Sequence, residues 1–373
     1  MRWRRARHET RNMINQASAA VAGSTSMSSW LRRQAPVLTL VLLPALLIEV
    51  LYGATPLDRL YVVVPEVLVY GCGALIIRTV VRMRGLDWIS ILVLGIAFAV
   101  AEECVILQTS LSPFFFGGYG RVLGVNTVYL LAMLGYESVW AILLSILLTE
   151  IIFPARREEP WIGGRGLIIA AVLLVAGSLM AWYSWTRFGI EHFSHGRSYN
   201  APALTVISAV LAIAVLVALA MLPRAPRPAA RRRRRALRPW LMGLAAFWLA
   251  LPWFGLTIVA YAAPPASPLI TIAAGISWAA GVTLVVRHWT SGSDFGDRHR
   301  LALIIGALTA SWLEGFIIVS SAGAVDAIGK LVLDLLAIAL LGVLAREVKR
   351  RARPSDLGSS SAGNPRRGEH SSK

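Results

Sequence analysis

Ten long apolar segments constrain the fold of this chain more than any other feature of its sequence. Each is about 20 residues long, the length that an α-helix needs to cross a hydrocarbon core of about 30 Å. Backbone polar groups must be paired inside a bilayer, and the segments lack the period-two alternation of barrel strands, so we predict helices. The segments are 35–53, 60–78, 88–107, 127–153, 166–186, 202–222, 240–262, 268–286, 301–320 and 329–346.

Composition excludes the main soluble classes. Hydrophobic residues make up 56% of the chain and charged residues 15%, against about 25% charged residues in soluble domains. The two cysteines, Cys72 and Cys104, lie inside apolar segments, and no Cys/His spacing of a zinc site occurs. We therefore predict an all-α polytopic transmembrane helix bundle over 35–346, between a basic cytosolic tail (1–34) and a disordered cytosolic tail (347–373).

The distribution of basic residues predicts the orientation of the bundle. The net charge is +17, and 32 of the 37 Lys and Arg residues fall on the side that holds both termini. Basic loops stay in the cytoplasm, so we expect both termini there. The longest basic run indicates anchoring at anionic lipid headgroups of the bilayer and not binding of nucleic acid. The run consists of Arg231, Arg232, Arg233, Arg234 and Arg235.

An internal repeat is predicted from spacings shared by the two ends of the chain. Pro44 precedes Arg78 by 34 residues, and Pro252 precedes Arg287 by 35. The next segment of each half carries a Gly, Ala, Glu stripe at four-residue spacing, which lies on one helix face and lets a neighbouring helix approach closely. Spans one to four would then match spans seven to ten in parallel orientation. The stripes are Gly95, Ala99 and Glu103, and Gly306, Ala310 and Glu314, with Ser110 and Ser321 seven residues after their glutamates.

Acidic side chains inside the apolar segments are the predicted functional residues. Each costs about 2.5–3.5 kcal/mol on insertion scales, and most fall about 6–9 Å below the predicted outer boundary by helical rise. No Arg, Lys or His occupies the middle of a predicted span; Lys330 is assigned to the external side. The predicted ion- or proton-binding residues are Glu66, Glu102, Glu103, Glu137, Glu314 and Asp334, with Glu49 in the same layer.

Three interpretations of these carboxyls remain open at this point. They can be protonated groups and helix caps, which is the simplest account of Glu49 and Asp334. They can form a site for a cation or a proton, since clustered carboxylates bind hard cations. They can also act as a catalytic acid beside a metal-bound water that cleaves a peptide bond.

Two external loops carry weaker signals. His192 and His195, next to Glu191, have the spacing of a chelating pair, and we treat them as weak metal-ligand candidates. The loop over 113–120 combines aromatic residues with glycines. Such a loop suits either a lid over the acidic layer or an aromatic anchor at the membrane interface.

Residues 62–167 resemble a family of uncharacterised bacterial multi-pass membrane proteins. The resemblance is carried by GCGALIIRTVVRMRG, AEECVILQTSLSPFFF, GRVLGVN, ESVWAILLSILLTEIIFP and EPWIGGRGL. It implies a bacterial cytoplasmic membrane location and no established activity. The sequence departs from the family pattern at Thr79 in place of Glu, at Cys104 in place of Gly, and at Glu137 in place of a His.

The Glu102–Glu103 pair is also distantly similar to the EExxxR motif of CAAX-protease-like intramembrane metalloproteases. Leu107 stands at the position of the motif's Arg, and no His lies inside a predicted span. The pair also falls near the predicted outer face. We therefore predict a carrier or permease-like protein with an acidic cation or proton site in the outer half of the membrane. The alternative is such a protease, or a non-catalytic relative that acts as a scaffold.

Overall fold

The protein is described here from a computed structural model that covers residues 31–114, 118–189, 199–222, 235–261, 263–320 and 323–352. Within these ranges ten helices are long and apolar enough to cross a membrane. They confirm the predicted all-α bundle of about ten spans and identify a multi-pass membrane protein. The helices are α1 (Leu31–Leu51), α2 (Arg59–Met83), α3 (Trp88–Ile106), α4 (Thr127–Ile152), α5 (Gly164–Gly189), α6 (Ala203–Met221), α7 (Pro239–Ala260), α8 (Pro268–Trp289), α9 (Asp297–Ser320) and α10 (Ala324–Arg351).

Short elements connect some of these helices. A two-residue antiparallel hairpin, β1 (Arg121–Val122) and β2 (Val125–Asn126), lies between α3 and α4. Its turn holds Leu123 and Gly124 at positive φ, the conformation that matches the twist of paired strands. Asp87 begins α3 by accepting hydrogen bonds from two backbone amides of the first turn.

Burial divides the helices into an inner and an outer group. The apolar windows of α2, α3 and α4 are more than half buried and that of α9 is half buried, whereas those of α6, α8 and α10 are 11% buried. The outer helices therefore present their apolar faces to the lipid, and the inner ones form the centre of the bundle. The buried carboxyls lie on the inner helices.

Small residues allow the inner helices to approach closely. A Cβ on Gly95 would lie 3.0 Å from the backbone of Ser138, so α3 and α4 are in backbone contact there. A Cβ on Gly306 would collide with the backbone carbonyl of Gly243 on α7. Ala99 and Ala310, one turn further along, are fully buried. These contacts fix the height of α4 against α3, which decides where the carboxyls of the two helices meet.

Aromatic side chains connect α4 to α7 and α9. Trp140 on α4 stacks edge-on against Phe254 on α7, with ring centroids 4.9 Å apart, and its indole donates to the carbonyl of Ala307 at 3.0 Å. Trp253 donates to the carbonyl of Ala132, also at 3.0 Å. Indole N–H groups in lipid need such partners, so these bonds set how α7 and α9 sit against α4.

Both predicted tails extend beyond the described residues, and their assignment as cytosolic remains a prediction. Helix α1 begins at Leu31 and α10 ends at Arg351, so each of these helices runs a few residues into a predicted tail. Both extra turns carry basic residues, which suit the headgroup region; those at the end of α10 also suit the carboxyl end of a helix.

Candidate functional site

Three glutamate carboxyls meet between α3 and α4. Glu102 and Glu103 are consecutive residues of α3, Glu137 lies on α4, and one oxygen of each lies within 4.8 Å of the other two. Their residues are 1%, 3% and 2% exposed. We call this set the three-carboxyl group; it brings together three of the six predicted ion- or proton-binding residues.

The backbone of both helices changes from α to π geometry at these residues. The π segments are Glu102–Ile106 on α3 and Glu137–Leu143 on α4. A π turn widens the helix by one residue and frequently occurs at functional sites. Here it adjusts the direction of the carboxyls on two helices that are already held in backbone contact by Gly95.

Hydrogen bonds from neighbouring groups satisfy part of the three-carboxyl group. The Tyr70 hydroxyl donates to Glu102 Oε1 at 3.1 Å. Ser110 donates to Glu103 Oε2 twice, from its backbone amide at 3.1 Å and from its hydroxyl at 2.6 Å. The Tyr129 side chain forms a further hydrogen bond with Glu103. Glu103 is therefore the best satisfied of the three.

Two oxygens of the group have no donor. Glu102 Oε2 and Glu137 Oε2 are fully buried and lack a hydrogen-bond partner. Among the residues that the structure describes, Arg and Lys side chains form ion pairs elsewhere, and no Arg, Lys or His side chain pairs with these three carboxyls. A buried oxygen of this kind is costly unless a proton or a cation completes it.

The loop that follows α3 covers the group. Arg121, at the hairpin, donates to the carbonyl oxygens of Leu111, Ser112 and Gly124 at 2.6–3.1 Å. The Ser110 carbonyl accepts from the Asn126 amide at 2.8 Å. These bonds hold the Ser110 turn over Glu103. The Tyr199 hydroxyl beside Arg121 has a raised pKa because burial disfavours its ionised form.

The other predicted acidic residues lie outside the three-carboxyl group. Glu66 on α2 is close enough for an electrostatic interaction with Glu102 and Glu137. Glu314 on α9 accepts a hydrogen bond from the Tyr52 hydroxyl at 2.9 Å. Glu49 accepts from the Thr55 hydroxyl at 2.6 Å. Tyr70 and Tyr136 interact electrostatically with these carboxyls and with the three-carboxyl group, and we call the combined set the polar layer.

Asp334 has a partner, Lys330, that the sequence analysis assigned to the external side. Helix α10 begins at Ala324, so Lys330 lies within it, one turn before Asp334. The Lys330 ammonium is 2.5 Å from both Asp334 oxygens, and its side chain is 2% exposed. The ion pair neutralises both groups, which allows the helix to start earlier than hydropathy alone indicated.

Two histidines likewise lie in helices that are longer than predicted. Helix α8 extends to Trp289 and includes His288, and α9 begins at Asp297 and includes His299. His288 lines a cleft with Arg235 and Trp289, and His299 interacts electrostatically with the exposed loop carboxylate of Asp294. The backbone amide of Ala236 donates to Asp294 and holds its pKa below the usual value.

Sequence reasoning missed a second buried ionic site, at the predicted cytoplasmic end of α2. The Arg78 side chain is fully buried, and its Nε lies 3.1 Å from Glu150 Oε1. Arg82 also pairs with Glu150, at 2.6 Å. The Arg78 guanidinium donates to the Arg157 and Glu159 carbonyls at 2.7 and 3.0 Å. We call this set, with Trp161 stacked on Arg78 at 3.3 Å, the Arg78–Glu150 cluster.

A signal for the Arg78–Glu150 cluster existed in the sequence. Arg78 and Arg82 are four residues apart and share a helix face, and Glu150 lies near the same membrane boundary. What the sequence does not contain is the path of residues 153–161, whose carbonyls turn inward to meet Arg78. That path depends on tertiary packing.

The remaining predicted ligands and anchors are mostly outside the described residues. His192, His195 and Glu191 fall there, as do Arg231, Arg232, Arg233 and Arg234. Arg235 is described and exposed, and it lines a cleft of about 260 Å³ with His288 and Trp289. The predicted binding of anionic headgroups by this run stays a prediction.

Comparison with known proteins adds no relative. No family model, no curated protein and no solved structure matches this chain. The resemblances to the bacterial membrane family and to the CAAX-protease-like enzymes therefore stay expectations. The ten apolar helices by themselves identify a multi-pass protein of a lipid bilayer.

Proposed function

We propose that this protein is a carrier or permease-like membrane protein whose three-carboxyl group binds a cation or relays a proton. The observation that carries the proposal is the pair of buried, donorless oxygens on Glu102 and Glu137. Helices pack well without such groups, and each is expensive in hydrocarbon. Selection for function explains their presence better than selection for stability does.

Electrostatics supports an ion or proton as the missing partner. Carboxylates this close together cannot all be ionised without compensation, because like charges in a low-dielectric site repel strongly. Arg, Lys or His side chains would supply permanent compensation, and among the described residues none does so here. A mobile cation or a transferable proton supplies it reversibly.

Entry from the predicted outer side would pass the Ser110 turn. Glu103 exchanges its Ser110 hydrogen bonds for an ion when the turn moves, and Arg121 returns the turn to its closed position. In this proposal Glu66 and Glu314 are further proton positions in the polar layer, and the charge of Asp334 is compensated by Lys330. We also propose that both termini lie in the cytoplasm and that spans one to four and seven to ten form an internal repeat.

The test is proton flux through purified protein in liposomes that contain a pH-sensitive dye, with the membrane potential clamped by K⁺ and valinomycin. We expect wild-type protein to dissipate an imposed pH gradient, and Glu103→Gln to slow this by at least about tenfold, the size of effect that general acid–base groups give. Glu158→Gln is the control, because Glu158 is 80% exposed.

A flux that is equal for Glu103→Gln and wild type would contradict the carrier proposal. Normal insertion and stability of a transport-inactive wild type, together with tolerated Glu→Gln changes, would favour the scaffold alternative. In that case the amide replaces the carboxyl as an interhelical hydrogen-bonding group.

A further inference from the structure

We infer that the three-carboxyl group takes a hard divalent cation in exchange for protons. The inference deepens the proposed function and rests on it, since both require that this group is an ion site. It names the class of ion, which the proposed function leaves open between a cation and a proton alone.

The spacing of the oxygens fits a single bound ion. Hard divalent cations hold oxygen ligands at about 2.0–2.6 Å, so two ligands on one ion are at most about 4–5 Å apart. One oxygen from each of Glu102, Glu103 and Glu137 lies within 4.8 Å of the others. The group therefore reaches ligand geometry with small rotations of side chains that are already in place.

The donor atoms select a hard cation. The group consists of carboxylate oxygens, and the nearest further donors are hydroxyls of Ser110, Tyr70 and Tyr129. Oxygen-only sites suit Mg²⁺, Mn²⁺ and Ca²⁺, whereas Zn²⁺ and Cu²⁺ favour His and Cys. In the part of the chain that the structure describes, no His or Cys joins the group.

The unpartnered oxygens are an independent indication of a ligand. Glu102 Oε2 and Glu137 Oε2 belong to residues that are 1% and 2% exposed, and neither has a donor. Apolar side chains of Val100, Leu111 and Ala209 pack beside the end of α3, so bulk water does not substitute for the missing partner. A cation bound by Glu102 and Glu137 would supply the partner that these carboxyls lack.

Charge balance sets the exchange at two protons for each ion. Three ionised carboxyls carry −3, and a divalent cation brings the site to −1. With the cation absent, two protons on the same three carboxyls also give −1. Binding therefore releases two protons, M²⁺ replacing 2 H⁺, while the charge in the apolar interior stays constant, which avoids the cost of a new buried charge.

Neighbouring titratable groups face the site from several elements, and the basic one, Arg121 at the hairpin, donates to backbone carbonyls of the covering loop. Because these neighbours can also gain or lose protons, the exchange is measured as the number of protons released per ion and not as the titration of one residue. The others are Glu49 on α1, Glu66 and Tyr70 on α2, Cys104 on α3, Tyr129 and Tyr136 on α4, and Tyr199 before α6.

The test is Mn²⁺ binding to full-length protein in nanodiscs, measured from the spin-resonance signal of free Mn²⁺. We expect one Mn²⁺ per chain, competition by Mg²⁺ or Ca²⁺, and an apparent Kd that rises by up to about 100-fold per unit of falling pH, as release of two protons requires. Glu137→Gln should weaken binding at least about tenfold. The control is Glu158→Gln, an exposed carboxyl that pairs with Arg82 and takes no part in the group, which should bind like wild type.

Absence of Mn²⁺ binding to folded wild type, equal binding by Glu137→Gln, or a Kd independent of pH would each overturn the inference. If Glu137→Gln does not fold, Glu102→Gln replaces it. The two proposals fail separately. Proton flux that depends on Glu103 without Mn²⁺ binding leaves the carrier proposal standing, whereas Mn²⁺ binding without any flux leaves only a binding site.

Discussion

The Arg78–Glu150 cluster and the three-carboxyl group are both buried sets of ionisable residues. They differ in how the desolvation cost of the buried carboxyls is offset. In the first, Glu150 is paired with two arginines, and the Arg78 guanidinium also contacts backbone carbonyls and an indole ring. In the second, three carboxyls face one another, and two of their oxygens have no donor.

The difference separates a structural role from a functional one. In the Arg78–Glu150 cluster, arginine permanently compensates the carboxylate charge. This suits a structural contact that joins α2, α4 and the loop after α4, because its ionic partners do not need to be exchanged. Carboxyls without a basic partner suit a site where a cation or a proton binds and dissociates. Membrane proteins retain uncompensated carboxyls at substrate and ion pathways for the same reason.

Glu150→Gln is the substitution with the largest expected effect on stability. It leaves Arg78 buried without an anionic partner, and breaking a buried pair from one side costs about 3–5 kcal/mol. The measurement is the free energy of unfolding in micelles. Glu158→Gln, which removes the exposed partner of the same Arg82, should cost less than about 1 kcal/mol. Equal losses for the two variants would show that burial of Glu150 does not matter.

Arg78→Lys should have an intermediate effect. Lysine keeps the charge beside Glu150 but loses the planar contacts with the Arg157 and Glu159 carbonyls and with Trp161. We expect a loss of about 1–3 kcal/mol in the same unfolding measurement. Arg84→Lys, at the exposed end of the helix, is the control. If the two variants were equally stable, the geometry around Arg78 would carry no energy beyond its charge.

Glu137→Gln should have the smallest effect on stability and the largest on ion binding. In metal-free buffer two of the three carboxyls are protonated, so the amide replaces a neutral hydrogen-bonding group, and the free energy of unfolding should change by less than about 1 kcal/mol. The comparison with Glu150→Gln is direct, because both replace a buried glutamate by the same isostere. A loss as large as that of Glu150→Gln would make the three-carboxyl group structural.

Much of the architecture could be predicted because hydropathy and helix length act locally. The ten segments follow from the bilayer thickness, and α3 from Trp88 to Ile106 differs from its predicted range by one residue. Predictions were less accurate at helix ends that carry charge. Lys330 lies near the start of the predicted segment 329–346 and was assigned to the external side, because hydropathy does not show its pairing with Asp334 inside α10.

The site was predicted less completely than the fold. Glu102 and Glu103 are neighbours in any conformation, but their contact with Glu137 depends on the relative height of α3 and α4, which the approach at Gly95 sets. The similar predicted depth of the acidic residues led to the expectation that Glu314 joins them. The structure instead places Glu314 against the Tyr52 hydroxyl, and its predicted role in ion or proton binding remains to be tested by substitution.

The sequence by itself determined that this chain crosses a membrane about ten times as a helical bundle and that several carboxyls lie within its apolar segments. Both follow from the transfer of side chains between water and lipid, a property of each segment alone. Only the tertiary structure decided which carboxyls share a site and which are neutralised by arginine or lysine. Those outcomes depend on contacts between helices, and a shift of one turn along a helix moves a carboxyl by about 5 Å, from contact to separation.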